Sequence, residues 1–143
     1  RNIAKCAVNV VLELIKAIGP PVCQAIKPLT DRIFCTYFYG IATPLSLATL
    51  LIEQAPDFAL NYATSIPELV LSRARGEDPK YALETARTIR AMTKSIHTNW
   101  YLIAYDMFDN LVEIIDRKGS RADEENTTIT EIAILSLVYI LYA

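Results

Sequence analysis

NIAKCAVNVVLELIKAIGPP, residues 2–21, decides the fold class. Its polar residues Asn2, Lys5, Asn9, Glu13 and Lys16 recur at spacings of three and four. Ile3, Ala7, Val10, Val11, Leu14, Ile15 and Ile18 fill the other side. A 3.6-residue period with a narrow wet stripe and a wide apolar face predicts an amphipathic helix. Gly19 supplies a position at which a helix can end in left-handed backbone, and Pro20-Pro21 stops one helix and starts the next.

The same period continues along the chain. Residues 21–38 read as a second helix, kinked near Pro28 or divided there into two short ones, because proline lacks the N–H an interior position needs. Thr43-Pro44 opens a third helix to about Gln54, and Asp57 to Thr64 forms a short element. Ser65 with Glu68 is a capping box, with a stop at Gly76. Asp78-Pro79 opens the longest region, whose apolar line runs from Ala82 through Ile89, Trp100 and Leu111 to Ile114. As one straight helix it would span roughly 60 Å, so a bend is expected at His97-Thr98-Asn99, a run of poor helix formers. GSRADEENT, residues 119–127, is a solvent loop, and Thr128 with Glu131 caps a closing helix from Ile129 to Ala143. The expectation is all-α: residues 1–143 as a single-domain helical bundle of five to seven helices, its long C-terminal-half helix bent.

Composition narrows the function. Of 143 residues, 52% are hydrophobic and 21% charged, with a net charge of -2. No basic cluster of five or more exists; Arg87, Arg90 and Lys94 form one of the richest spots, with acids close by. The electrostatic footprint of a nucleic-acid binder is therefore missing. Phe34 to Ile52 carries no formal charge, a run nearly long enough to cross a bilayer. Gly40, Thr43, Pro44 and Ser46 make helix–loop–helix the better reading. The closing helix is apolar on almost every side from Ile132 to Ala143. Tyr101, Tyr105, Phe108 and Val112 add a second apolar line to the long helix. This surplus points to a subunit contact, a cavity or a membrane surface.

Three cysteines cannot all pair within one molecule. If the first two helices form an antiparallel hairpin about residue 20, Cys6 and Cys35 share one end and Cys23 lies at the other. Positions 23 and 35 are separated by about 18 Å along a helix, beyond disulfide reach. An intramolecular Cys6–Cys35 disulfide is expected, leaving Cys23 for an intermolecular disulfide. The competing readings are three reduced thiols filling helix faces, or a bond from Cys6 to a partner. A chain beginning at Arg1 is expected to follow a signal, a propeptide or a longer parent sequence, and Asn126-Thr127-Thr128 is a formal glycosylation acceptor. With the cysteine layout, these favour a secreted or lumenal setting.

Signs of catalysis are sparse. A single histidine, His97, precludes a multi-histidine metal site and fits a surface or hinge role. Four scattered glycines make no phosphate cradle. Asp106, Asp109, Glu113 and Asp116 line one helix stripe, but the Glu-x-x-His element of helical di-metal sites is missing. A solvated acidic face, able to meet a basic partner surface, is the simpler reading. Neither cofactor nor metal is expected. The chain reads as a non-enzymatic protein that self-associates into a homo-oligomer or binds a second protein chain. The alternative is a carrier of a small apolar, lipid-like molecule in a pocket lined from Tyr37, Phe38, Leu50, Trp100, Tyr105 and Leu135. A membrane-active toxin or defence protein is a weaker third reading.

Overall fold

The computed structural model of the chain describes residues 2–35, 43–75, 80–119, 134 and 137–142. Among these it is all-α, with nine α-helices and no strand. Helix α1 spans Asn2–Ile18, α2 Val22–Ala25, α3 Lys27–Cys35, α4 Thr43–Gln54, α5 Pro56–Ala59, α6 Ser65–Arg75, α7 Lys80–Lys94, α8 Thr98–Asp106 and α9 Phe108–Gly119. A 3-10 turn, Leu60–Tyr62, joins α5 to α6.

The count exceeds the expected five to seven because two expected helices are divided. The second separates at Ile26 into α2 and α3. Pro28 then falls in the first turn of α3, where a missing N–H leaves no intrahelical bond unmade. The long one separates into α7, α8 and α9. Its first break, residues 95–97, lies at the expected bend. There the backbone N–H of His97 donates to Ser95 Oγ at 3.1 Å, and His97 Nδ1 accepts from the Asn99 backbone N–H at 3.3 Å. His97 is thus the N-cap of α8, its Nδ1 accepting as an Asn oxygen would. The second break is at Met107, whose N–H donates to Ala104 O at 3.0 Å and closes α8 before α9 begins.

Helix α4 is the centre. It packs against α1, α5, α6 and α7, and Leu45, Leu47, Ala48, Leu51 and Ile52 are all buried. Neighbours on several sides leave little of a helix's circumference for charge, which accounts for its share of the uncharged run. No helix among the described residues is long and apolar enough to cross a membrane. Helix α1, by contrast, packs chiefly on α4, so only one stripe is needed: Val8, Val11, Leu12 and Ile15 are buried. Val10 and Ile18, expected inside, are more than half exposed. Gly19 ends α1 with φ +92°, its N–H donating to Ile15 O at 2.8 Å, as the left-handed stop requires.

One contiguous core links α4 to α6, α7, α8 and the closing segment, reaching Ile66, Val70, Ile89, Met92, Trp100, Leu111 and Ile140. Residues 137–141 are helical. The Tyr101 hydroxyl donates to Ile140 O at 3.0 Å, fixing that segment beside α8, and the Arg90 guanidinium lies 5.6 Å over the Tyr139 ring.

Candidate functional site

The cysteines do not form the expected pattern. Cys6 and Cys23 are free thiols, so the Cys6–Cys35 bridge is not made. The expectation placed Cys35 by residue count along the second helical stretch, taken as running back antiparallel to the first. The break at Ile26 re-aims α3, and the mirror register of the hairpin is lost. Of the two described thiols, Cys6, on α1, is exposed, whereas Cys23 is 1% exposed and belongs to the core. Burial pushes the Cys23 thiol pKa up, against a smaller opposite pull from a backbone hydrogen bond. A buried, protonated thiol cannot reach a second chain, which removes Cys23 as the intermolecular link. The side chain of Cys35 lies outside the described residues.

Of the residues proposed for an apolar pocket, the three described ones, Leu50, Trp100 and Tyr105, are placed as follows. Trp100 is fully buried, and its indole N–H donates to Pro56 O at 2.9 Å. Leu50 borders a cleft between α1, α4 and α7 that also carries Lys16, Glu53, Glu84 and Arg87. Tyr105 borders a different cleft. Tyr37, Phe38 and Leu135, like the acceptor Asn126, lie outside the described residues. His97, besides capping α8, holds Nε2 3.4 Å from Asp57 Oδ1 and so ties the α7–α8 break to α5.

What the fold does assemble is an outward face along α8 and α9. Tyr101, Tyr105 and Phe108 form a ladder with ring centroids 6.4 Å apart at each step, the second pair stacked at 26°. Leu102 is 56% exposed and Tyr105 53%. Asp106, Asp109, Glu113 and Asp116 are all exposed on the same run. The Met107 break brings the end of α8 against the start of α9. Between them Tyr105, Asp106, Phe108 and Asp109 line a cleft of about 270 Å³. Two aromatic residues and two carboxylate residues border this one opening, a composition that suits an organic cation. No Lys or Arg occurs from residue 95 to residue 116 to offset those carboxylates.

Beside it, the closing segment exposes Val138, Leu141 and Tyr142, the last 84% exposed. Across α7, Leu83, Arg87, Arg90 and Lys94 are exposed. At 100° per residue these four fall within one narrow strip of the helix. Sequence reasoning identified the acidic stripe and the basic spot separately. It missed Leu83, which the four-residue spacing to Arg87 places on the same strip.

No protein family, curated protein or solved structure gives a significant match to this chain.

Proposed function

We propose that this is a non-enzymatic protein that acts by association, with a second copy of itself or with another protein chain, through the outer face of α8 and the closing segment. The carrying observation is the group of large apolar side chains left in water there: Leu102, Tyr105, Val138, Leu141 and Tyr142. Single exposed apolar residues are ordinary, but a set on adjoining elements, rimmed by charge, is the usual composition of a contact surface. Tyrosines add large area with few rotatable bonds. The non-enzymatic reading is supported by the occupation of the one histidine in capping α8 and facing Asp57. A secreted or lumenal setting rests on the Asn126-Thr127-Thr128 acceptor, and a glycosidase mobility shift tests it.

Sedimentation velocity over a range of concentrations tests the association. The expected result is a concentration-dependent complex that Leu102→Glu or Leu141→Glu weakens without loss of helical circular dichroism. A lone subunit at every concentration, with a co-purified lipid in native mass spectra, would instead favour a carrier.

A further inference from the structure

We propose that the partner is a second copy of this chain, and that the Leu83–Arg87–Arg90–Lys94 strip of α7 on one copy docks along the Leu102–Asp106–Asp109–Glu113 strip of α8–α9 on the other. This rests on the association reading above and names its partner and register. The two strips have identical spacing, four, three and four residues, and a constant offset of nineteen. In a parallel alignment leucine meets leucine, Arg87 meets Asp106, Arg90 meets Asp109, and Lys94 meets Glu113. At 1.5 Å per residue, the α7 strip covers roughly 16 Å, about three helical turns, and the facing strip runs over the end of α8 and the first turns of α9 across the Met107 break.

The structure makes both strips available together. Leu83 is 49% exposed and Leu102 56%, so the apolar end of each strip lacks cover in the lone chain. The three basic groups and the three acids are exposed. Arg87 makes a 3.0 Å pair with Glu84 on its own helix, its side chain 58% exposed. Such a surface pair contributes little and exchanges readily. Opposite Arg87 and Arg90 lies the cleft of Tyr105, Asp106, Phe108 and Asp109, which offers a guanidinium two aromatic rings and two carboxylates at its lining. A planar guanidinium suits that combination better than a lysine ammonium does. Arg90 already lies over an aromatic face, that of Tyr139, within its own chain. Unlike charges facing each other also steer the encounter and fix the register, while the leucine pair and the tyrosine supply apolar burial.

Charge exchange tests the register. One variant carries Asp106→Lys and Asp109→Lys, and the other Arg87→Glu and Arg90→Glu. Each alone sets like charges against each other and is expected to associate at least tenfold more weakly than wild type in sedimentation velocity. Mixed in equal amounts they restore opposite charges at every contact, and a one-to-one complex of near wild-type affinity should return. Circular dichroism confirms that each variant is folded. Should either fail to fold, salt supplies the second measurement. Wild-type association should weaken steeply between about 0.05 M and 0.5 M salt, as the screening length shrinks.

A wild-type complex that neither charge exchange nor salt alters overturns this register and leaves association by another face. A mixture that fails to reassemble from folded variants also overturns it. A wild-type chain that stays single at every concentration removes the association reading itself. Binding of methylguanidinium to such a single chain would assign the cleft to small cations instead.

Discussion

The indole Nε1–H of Trp100 donates to the carbonyl oxygen of Pro56, 44 residues earlier, at 2.9 Å. This bond fastens α8 to the start of α5 directly below the α7–α8 break. With the His97–Asp57 contact at 3.4 Å, it locates the bend in the long helical region by tertiary contact as well as by local sequence.

Replacing Trp100 separates its two contributions. Trp100→Phe keeps an aromatic body but leaves the Pro56 carbonyl without its donor, at an expected cost of about 1–3 kcal/mol. Trp100→Ala also opens a cavity in a fully buried position and should cost about 3–5 kcal/mol. Urea unfolding followed by circular dichroism measures both. Equal losses for the two variants would show that the hydrogen bond, and not the packing, holds α8 in place.

Asp31 carries a pH dependence. Its carboxylate accepts from the Tyr62 hydroxyl at 2.6 Å and from Lys27 Nζ at 2.9 and 3.1 Å. The tyrosine bond, then the lysine, hold its pKa below the usual carboxylate range. A folded-state pKa lowered below the unfolded one stabilises the protein fully above the unfolded value. That stability is lost as pH falls through the folded value, so the window lies below about pH 4. Tyr62→Phe should lower stability at neutral pH and flatten the decline in that acid window. Parallel pH–stability curves for the variant and wild type would remove Asp31 from the account.

Much of this was legible in the sequence because the responsible signals are local. Gly19 before Pro20-Pro21 marks a helix end that needs positive φ, and His97-Thr98-Asn99 marks a break because its residues favour caps over helix interiors. The Met107 break was not read from the sequence, although Asp106, Phe108, Asp109 and Asn110 rank no higher as helix formers than His97, Thr98 and Asn99, because the apolar period runs through it unbroken. The wide apolar face expected of α1 was too generous, because period alone does not say how many neighbours a helix has. Val10 and Ile18 are apolar without being covered. Cys23 was misplaced for a related reason: its position near the hairpin turn does not say which way its side chain faces, and α2 turns it into the core. The matched spacing of residues 83–94 and 102–113 stood in the sequence throughout. Only the exposure of both strips makes it a docking argument.

The two described thiols should differ sharply in reactivity. In a Cys35→Ser background, Cys6 is expected to react with a disulfide reagent within the mixing time of a native assay. Cys23, buried and with its pKa raised, should react only as fast as the fold opens, and at once in denaturant. Two thiol equivalents reacting promptly in the native chain would show that the α2 turn does not bury Cys23. Cys23→Ser places a hydroxyl in the core and should destabilise by about 1–3 kcal/mol.

Thr49 on α4 and Thr88 on α7 face each other with hydroxyl oxygens 2.8 Å apart across the α4–α7 interface. The same hydroxyls also lie within reach of their own helices, Thr49 of Leu45 O at 3.0 Å and Thr88 of Glu84 O at 2.9 Å. Two hydroxyls carry two protons, so at any instant only two of these three bonds can be made. Removing one hydroxyl therefore lets the other keep its own carbonyl, and no donor is stranded. Thr49→Val and Thr88→Val preserve the branched shape and should each cost under about 1 kcal/mol, with the double variant close to their sum. Urea titrations of the four proteins in a double-mutant cycle check this. A coupling well above 1 kcal/mol would mean that the bond across the helices dominates, and that the two helix carbonyls are only secondary acceptors.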